Sequence, residues 1–586
     1  MAEPGEGDIL HYYKQELSYL RTQGAAFAER YPKVASRLAL HGTESLDPHT
    51  ERLIEATAFL AARVHRDLDQ SFPQVASSLL ENVCPALVQP LPSMTVVQFA
   101  LDPSQGKVTA GYRVPRHTGL QARTEDGETC RFRTSWETTL WPLTVEQARL
   151  DQDHTLRLTL ACADGVDFSE LELTTLRLHL HGDWMVTMPL YELLVSGVAS
   201  VRIEPCDGEA SLLPASAWRE VGYGADEAVL PQPPNAQPAY GLMQEYFAFP
   251  RKFHFFDLAL PAGRLGRGTR CDIVLRLARM PRGMARIGAG NFRLGCVPAI
   301  NLFSQTSEPI VLDQRHYEYR LVADQRREAA TEIHSVSSVA LSDPASDRTQ
   351  AVPPVAAASG DAAADGVYWW TRREATLRPG LSGTDTYLTF VDAGKAAGQP
   401  AAPVAYANVL CTNRRLAEQV PVGARMLVEN VSQNARVRCL YEPTVQRNPP
   451  LGGESLWRLV SLLTLHHGTL SSGATGRHEV QQMLRLFAAD GSRELEQIRG
   501  IRSVQSRGVT AHIGGDAWRG FCRGTEIGIE FDADAFAGGS PLLMGAVLAR
   551  FFALYTSVNS FVRLVVRRGD EIWKQWEPMT GCQTLL

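Results

Sequence analysis

The sequence lacks the short motifs that usually mark enzyme chemistry. It has no Gly-rich phosphate loop, no G-x-S-x-G turn around a nucleophile and no Cys-x-x-Cys pair. Its ten Cys are scattered, and the two closest, Cys271 and Cys296, are 25 residues apart. This spacing is not that of a zinc ribbon or a thioredoxin-like redox site. We expect the cysteines to be buried, reduced thiols.

Strong charge of one sign and long apolar runs are also missing. The net charge is -6, which argues against general binding of nucleic acid, because that binding needs a basic face. No apolar run approaches the ~18–20 residues that span a bilayer. The stretch Met1–Asp8 is acidic and lacks the apolar segment of a secretory signal. We therefore expect a cytoplasmic protein with no direct membrane insertion.

Three remaining patterns have simple structural interpretations. Gly288–Arg293 begins like a dinucleotide loop but lacks the third Gly, so it predicts a turn. His466 and His467 are adjacent, so on a helix they would diverge and could not share a metal ion. Asp532 and Asp534 lack the Gly and Glu that complete a calcium loop, and they predict a polar strand end. We expect no catalytic residue, no cofactor, no metal and no enzymatic activity, although residues distant in sequence could still converge.

The first ninety residues have the periodicity of helices. Asp47-Pro48 predicts a helix start with Asp47 as N-cap, and Phe72-Pro73 predicts the start of a further helix. Either these helices pack together as a bundle within the chain, or one of their faces packs on another chain. A stripe at three- and four-residue spacing, with Gly24 in the missing step, is the candidate interface: Leu10, Tyr13, Leu17, Leu20, Phe27 and Tyr31. A second stripe comprises Ile54, Ala58, Ala61, Val64 and Leu68.

After Pro92 the period changes to two. His154–Leu160 and Leu176–His181 alternate cleanly, and Cys271–Leu277 alternates less clearly. Alternation predicts antiparallel strands with one face in a core and one in water. We therefore expect one or two β-sandwich-like domains in this part of the chain.

The remainder of the chain mixes loops, helices and strands. Residues 341–366 and 392–404 are rich in small and polar residues that bury little apolar surface, so they predict mobile loops. Helices are expected near 454–466 and 478–488, a strand at Thr525–Phe531, and a helix capped by Ser540-Pro541. The predicted fold class is α+β multidomain, with a helical segment at 1–90, a β-rich sandwich-like region at 91–300, a β-rich region with the two loops at 301–450, and an α+β domain at 451–586.

One apolar segment contains a single polar residue. Asn301 lies between Ile300 and Leu302, and prolines bound the run. An unpaired buried amide costs about 1–3 kcal/mol, so we expect the Asn301 side chain to hydrogen-bond local backbone. The candidate structural junction comprises Asn301, Leu302, Phe303 and Pro309. The alternative is that Phe303 inserts into a partner chain.

Several short blocks, in order along the chain, resemble the TssF family of type VI secretion baseplate subunits. They are Tyr12-Tyr13-x-x-Glu16-Leu17, Phe27-Ala28-x-x-Tyr31-Pro32, Asp47-Pro48-x-x-Glu51-Arg52-Leu53, Pro92-Ser93-Met94, Ala299-Ile300-Asn301-Leu302-Phe303, Glu308-Pro309-Ile310, Thr412-Asn413-Arg414 and Phe551-Phe552. The two low-complexity loops do not match the family pattern.

The resemblance implies a structural role in an assembly. It implies a wedge of two TssF copies and one TssG, joined by TssE toward the contractile sheath and by TssK toward the membrane complex. Six wedges would surround the VgrG spike, and the chain would dock to the inner-membrane complex through partners. The resemblance extends to wedge proteins of contractile phage baseplates and brings no catalytic residue or cofactor. The competing interpretations are a phage-type tail protein outside secretion, and a β-sandwich carbohydrate-binding protein or enzyme.

Overall fold

A computed structural model describes most of the chain. The chain divides into two compact units. One unit is Met1–Glu81 with Pro450–Leu463, and the other is Asn82–Pro449 with Thr464–Leu586. The described residues are 6–35, 40–41, 44–45, 47–83, 85–101, 108–151, 153–163, 165–233, 238–261, 265–278, 286–313, 315–343, 348–355, 367–392, 404–429, 435–451, 473–488, 491–512, 520–556, 560–569 and 571–581.

The first unit is helical, as the periodicity predicts. Its first helix, Glu6–Arg30, stops before Pro32, which starts the short helix Pro32–Ala35. The long helix Pro48–Val83 begins at the predicted cap, where the backbone N–H of His49 donates to Oδ1 of Asp47 over 3.0 Å. A two-stranded hairpin, Leu40–His41 with Glu44–Ser45, also belongs to this unit.

The predicted helix start at Phe72-Pro73 is wrong. One helix of 36 residues runs from Pro48 to Val83 and passes through Pro73. A proline inside a helix removes one backbone hydrogen bond and costs about 3 kcal/mol, but a long helix keeps all its other bonds. Proline therefore did not mark a boundary here.

The second unit contains the remaining helices that the structure describes. The helices at Ala474–Arg485 and Pro541–Tyr555 were predicted, and Ser540 caps the latter by accepting from the N–H of Leu543 over 3.3 Å. The predicted helix near 454–466 and the His466-His467 pair lie outside the described residues. The other described α-helices are Trp184–Ser196, Pro238–Ala248 and Ser492–Arg499. Short 3-10 turns are formed by Pro85–Leu87, Phe168–Glu170, Ala215–Ala217, Pro250–Phe253, Ala289–Asn291, Glu328–Ala330, Arg414–Gln419 and Ala533–Phe536.

A closed six-stranded antiparallel barrel forms the centre of the β-rich region. Alternate side chains point inward, so Leu120, Phe132, Met426 and Val437 lie in one buried core. The alternation that predicted a sandwich fits a barrel equally well, since both have one buried face. In order around the barrel the strands are Cys296–Ile300, Met94–Leu101, Ala435–Cys439, Arg425–Val428, Gly119–Arg123 and Thr129–Thr134. The barrel thus combines strands from both sides of the boundary predicted at residue 300.

Two antiparallel sheets are formed between residues 143 and 293. All three segments predicted by alternation form their strands, except that His154 and His181 lie one residue outside them. The five-stranded sheet has the order Ser211–Pro214, Val198–Asp207, Arg267–Leu277, Thr155–Cys162 and Leu143–Asp151; the four-stranded sheet has the order Trp218–Val221, Phe255–Ala259, Thr175–Leu180 and Phe292–Arg293. A small two-stranded sheet pairs Tyr112–Val114 with Thr138–Leu140. Along the chain, these two strands flank the barrel strands Gly119–Arg123 and Thr129–Thr134.

Residues 303–412 form a sandwich of two sheets around a separate core. Val339 and Val409 of one sheet share this core with Trp369 and Leu388 of the other. One sheet contains Phe303–Thr306, Val404–Thr412, Glu332–Asp343 and Arg348–Val352, with Ile310–Val311 also paired to Val404–Thr412; the other contains Glu318–Arg320, Thr384–Asp392 and Val367–Ala375.

The loop prediction for 341–366 is wrong in part. Arg348–Val352 is a strand that pairs with Val339–Asp343. Backbone hydrogen bonds to a neighbouring strand order this segment, although its composition is that of a loop. Residues 356–366 and 393–403 of the two predicted loops lie outside the described residues.

The C-terminal sheet is mixed. Phe521–Phe531 and Phe561–Arg568 pair in parallel, and the helix Pro541–Tyr555 connects them. Such a crossover is the usual way to join parallel neighbours. The strand order is Ile501–His512, Phe521–Phe531, Phe561–Arg568 and Glu571–Gln575, and Met579–Thr580 also pairs with Phe561–Arg568.

The cysteine prediction holds for most of the described thiols. Cys162 and Cys522 are half-buried and Cys206 is exposed, so the expectation of burial is wrong for these three. The buried free thiols are Cys130, Cys271, Cys296, Cys411 and Cys439. Within the described residues, no helix is long and apolar enough to span a membrane.

Candidate interaction surface and structural junction

The described part of the chain contains no cluster of three or more His, Cys, Asp or Glu side chains placed to hold a metal ion. Gly288–Arg293 forms a 3-10 turn and a short strand, and Asp532 caps the turn Ala533–Phe536 after a strand, as predicted. Two other features remain as candidate sites. One is apolar surface on the N-terminal helices, and the other is a buried polar junction in the second unit.

The six-residue stripe on the first helix is not buried in this chain. Leu10, Phe27 and Tyr31 are exposed, and Tyr13, Leu17 and Leu20 are only half-buried. The rings of Phe27 and Tyr31 lie 5.3 Å apart between centroids, so they form one aromatic surface at the end of the helix. Large side chains of this kind normally lie in a core or in an interface.

The long helix exposes an apolar stripe that differs from the one predicted for it: Val64 belongs to both stripes, whereas sequence reasoning missed Leu53 and Leu60. Leu53, Leu60 and Val64 are 70%, 62% and 58% exposed. They are seven and four residues apart, which places them on one side of a helix. Ala58 and Ala62 lie nearly opposite and are fully buried. The helical spacing of Leu53, Leu60 and Val64 is present in the sequence, but so is that of the stripe that contains Ala58 and Ala61. Periodicity alone does not tell which of the two stripes faces inward.

An ion pair links the first helix to the long helix. The guanidinium of Arg21 donates to Oε1 of Glu51, and both side chains are partly exposed. A partly exposed pair contributes at most about 1 kcal/mol, so it orients the helices more than it stabilises them. The helical unit thus presents two apolar stripes, a pattern typical of helices that pack on another protein.

The polar junction centres on Asn301, which is fully buried. Its Nδ2 donates to the backbone carbonyl of Arg131 over 2.7 Å and to Oδ1 of Asn413 over 2.9 Å. Its Oδ1 accepts from the backbone N–H of Asn413 over 2.7 Å. Every polar atom of the Asn301 amide group therefore has a partner.

Asn413 extends these contacts to the sandwich. Its Oδ1 also accepts from the backbone N–H of Arg131 over 2.8 Å, and its Nδ2 donates to the carbonyl of Ala330 over 3.2 Å. Arg131 belongs to a barrel strand, whereas Ala330 lies two residues before a strand of the sandwich. The two asparagines therefore tie the barrel to the sandwich.

Arg414 continues the network. It has a left-handed backbone, with φ of 51°, and its buried guanidinium donates to the carbonyls of Thr331 and Ser382. Burial lowers the pKa of Arg414, and the carboxylate of Glu332, 3.7 Å away, opposes that shift. Glu332 also accepts from the side chain of Gln446 over 2.7 Å.

The other junction residues lie on either side of this network. Leu302 is fully buried in the barrel core, whereas Phe303 is half-buried and packs against the sandwich core. The Arg131 guanidinium carbon lies 5.3 Å from the Phe303 ring centroid. Pro309 is exposed. Consecutive residues thus contribute to two cores, and Asn301 fixes the backbone where they meet.

A histidine cluster joins the four-stranded sheet to the barrel. Nε2 of His179 and Nδ1 of His181 lie 3.1 and 2.9 Å from the hydroxyl of Tyr441, a residue of the barrel core. Burial lowers the pKa of His181 to about 4 and that of His254 to about 3. The guanidinium of Arg251 lies 3.6 Å from the Tyr441 ring centroid and opposes protonation further. These imidazoles are therefore neutral in the folded chain at neutral pH.

Comparison with known proteins gives one consistent result. The model of a family described as "Type VI secretion system, TssF" matches residues 6–583. The type VI secretion system component TssF1 of Pseudomonas aeruginosa is 34% identical over 613 aligned positions, which cover 98% of each protein.

Two solved assemblies contain chains with a similar fold. A chain of the TssK-TssF-TssG baseplate subcomplex, solved by cryo-electron microscopy, gives a TM-score of 0.72 at 24% identity and covers 91% of this chain and 100% of its own length. A chain of a baseplate complex from the type VI secretion system gives a TM-score of 0.57 at 21% identity and covers 98% of this chain and 100% of its own.

Proposed function

Since this chain belongs to the TssF family of the type VI secretion system, we propose that it is a structural subunit of the baseplate and not an enzyme. Similarity to chains of baseplate assemblies supports this role. The proposed setting is cytoplasmic, with the chain docked to the inner-membrane complex through its partners.

The proposed partners are TssG, TssK, TssE and the VgrG spike. A solved subcomplex with a similar chain contains TssK and TssG, which favours these two as neighbours. The wedge implied by the family resemblance has two copies of this chain and one TssG, with TssE leading to the contractile sheath and TssK to the membrane complex. In this proposed role, the baseplate would nucleate and anchor the contractile sheath around the spike.

The observation that carries this proposal is the apolar surface of the N-terminal helices. Leu53, Leu60 and Val64 leave most of their surface in water in the free chain. Burying a Leu or Val side chain stabilises by about 1.5–3 kcal/mol, so these three would contribute several kcal/mol to an interface. We propose that this stripe and the stripe from Leu10 to Tyr31 join an intermolecular helical bundle.

The experiment is affinity co-purification of the full chain with TssG co-expressed from the same organism. Leu53→Asp with Leu60→Asp is expected to lower the recovery of TssG by about 100-fold, since a loss of about 3 kcal/mol in affinity corresponds to that factor. Leu17→Asp with Leu20→Asp is expected to abolish the complex while the β-rich unit stays folded. Near-ultraviolet circular dichroism would verify that fold.

The matched control is Leu212→Asp with Leu377→Asp. Both leucines are as exposed as the stripe residues and lie outside the helical unit. The control variant is expected to retain TssG. Normal recovery of TssG by both helix variants would contradict the helical interface, and failure of the unaltered chain to bind TssG would contradict the proposed function itself.

A further inference from the structure

The outer wall of the barrel carries arginines on neighbouring strands. Arg425 and Arg438 are directly opposite each other in the register of their strands, and both side chains are exposed. On the other side of Arg425, Leu427 pairs with Gln121. The paired register ends there, and the next outward-facing residue of that neighbouring strand is the exposed Arg123. We call Arg123, Arg425 and Arg438 the arginine row.

The arginine row has no counter-charge among the residues that the structure describes. None of its three side chains makes an ion pair or side-chain hydrogen bond with any residue that the structure describes. Glu429 directly follows the strand that contains Arg425, but its Oε1 accepts from the side chain of Gln121. The acidic residues Glu125 and Asp126 lie beyond the strand end, in the turn after Arg123.

This arrangement is unfavourable for the free chain. Like charges that face each other across an antiparallel pair destabilise the sheet, whereas opposite charges contribute about 0.2–1 kcal/mol. The barrel fold does not require arginine there, because the inward neighbours Met426 and Val437 supply the core. An external ligand that brings negative charge would remove the repulsion.

An apolar side chain adjoins the arginine row. Leu427, two residues after Arg425 on the same strand, is 68% exposed. A ligand that is only a small anion would not use it. A protein surface that places acidic and apolar side chains next to each other would use both.

We propose that the arginine row and Leu427 bind an acidic, amphipathic helix of a partner protein. Neighbouring strands are about 4.8 Å apart, so Arg425 and Arg438, which are opposite each other, have nearly that spacing. Carboxylates three or four residues apart on a helix are about 5–6 Å apart, which matches it. Such a helix would lie across the strands, with carboxylates on the guanidinium groups and an apolar residue on Leu427.

The test uses the full chain and a labelled helical peptide of four Glu-Leu-Ala-Ala repeats, measured by fluorescence anisotropy at low salt. Binding is expected, and the Gln-Leu-Ala-Ala peptide is expected not to bind. Arg425→Glu with Arg438→Glu is expected to weaken binding by about tenfold or more, and Leu427→Gln is expected to weaken it without a change of charge at the row. The matched control, Arg276→Glu with Arg499→Glu, changes net charge equally at exposed sites elsewhere and is expected to leave binding intact.

A stability measurement accompanies the binding measurement. Arg438→Glu alone is expected to raise the melting temperature, since it replaces a like-charge cross-strand pair by one of opposite charge, while it weakens peptide binding. Equal binding of the Gln peptide, equal loss in the matched control, or stronger competition by inorganic phosphate or a DNA duplex than by unlabelled Glu peptide would overturn the proposal. None of these results bears on TssG recovery, so the proposed function is tested separately.

Discussion

Replacing Asn301 by Ala tests the polar junction most sharply. The substitution removes the two bonds donated by Nδ2 and the bond accepted by Oδ1. Asn413 keeps its contacts to Arg131 and Ala330 but loses the acceptor for its buried backbone N–H. The cavity left by the amide is small and polar, so lost hydrogen bonds dominate the effect.

The magnitude follows from those bonds. One unsatisfied buried N–H costs about 1–3 kcal/mol, and each of the two further lost bonds costs about 1 kcal/mol, so the total is about 3–5 kcal/mol. That corresponds to a decrease of about 3–5 °C in the melting temperature of the second unit, because its roughly 490 residues give an unfolding entropy of about 1 kcal/mol/K. The expected loss of stability is large because Asn301 is fully buried and its amide group is fully paired.

Differential scanning calorimetry of the isolated chain is the assay. The matched control is Asn408→Ala, because Asn408 lies on the strand that leads to Asn413 but is exposed, where such changes stay within about 0.5 kcal/mol. If Phe303 instead inserts into a partner, Phe303→Ala leaves the melting temperature unchanged and weakens association alone. A chain whose melting temperature is indifferent to Asn301→Ala would refute the structural account.

Three further outcomes are expected. Gly383→Ala should lower the melting temperature by several degrees in calorimetry, because Gly383 has φ of 128° and an added Cβ would lie 2.8 Å from Oε2 of Glu332; an unchanged value would contradict this packing. Burial lowers the pKa of His254 and His334 to about 3 from 6.5, so the unfolded chain binds more protons below pH 6.5. The melting temperature should therefore be highest above pH 6.5 and should fall as the pH is lowered toward 4. His254→Phe should make this fall smaller. A melting temperature that does not change with pH would contradict the lowered histidine pKa values. Elemental analysis should find no stoichiometric metal, and one tightly bound zinc or iron per chain would overturn that expectation.

Signals that act over a few residues were sufficient to predict much of the fold. Ser540 followed by Pro541 begins a helix as expected, because the cap and the fixed φ act locally. Alternation identified Thr155–Cys162 as a strand, because a half-buried strand imposes a period of two. The mixed α+β class, with helices first and strands after residue 92, is confirmed.

Features that depend on distant contacts could not be predicted. Met94–Leu101 pairs with Ala435–Cys439 to close the barrel, and nothing in either segment specifies the other. Asn301 and Asn413 each belong to a block that resembles the family, but their mutual hydrogen bonds join positions 112 residues apart. The exposure of Leu53 likewise depends on which helix face packs inward, and periodicity alone does not decide that.

Native mass spectrometry of the chain co-purified with TssG tests the central claim most directly. The account predicts a complex of two copies of this chain and one TssG. This complex should dissociate when the apolar stripe of the long helix carries Leu53→Asp with Leu60→Asp. A chain that remains alone in the presence of folded TssG would contradict its assignment as a structural subunit of the baseplate wedge.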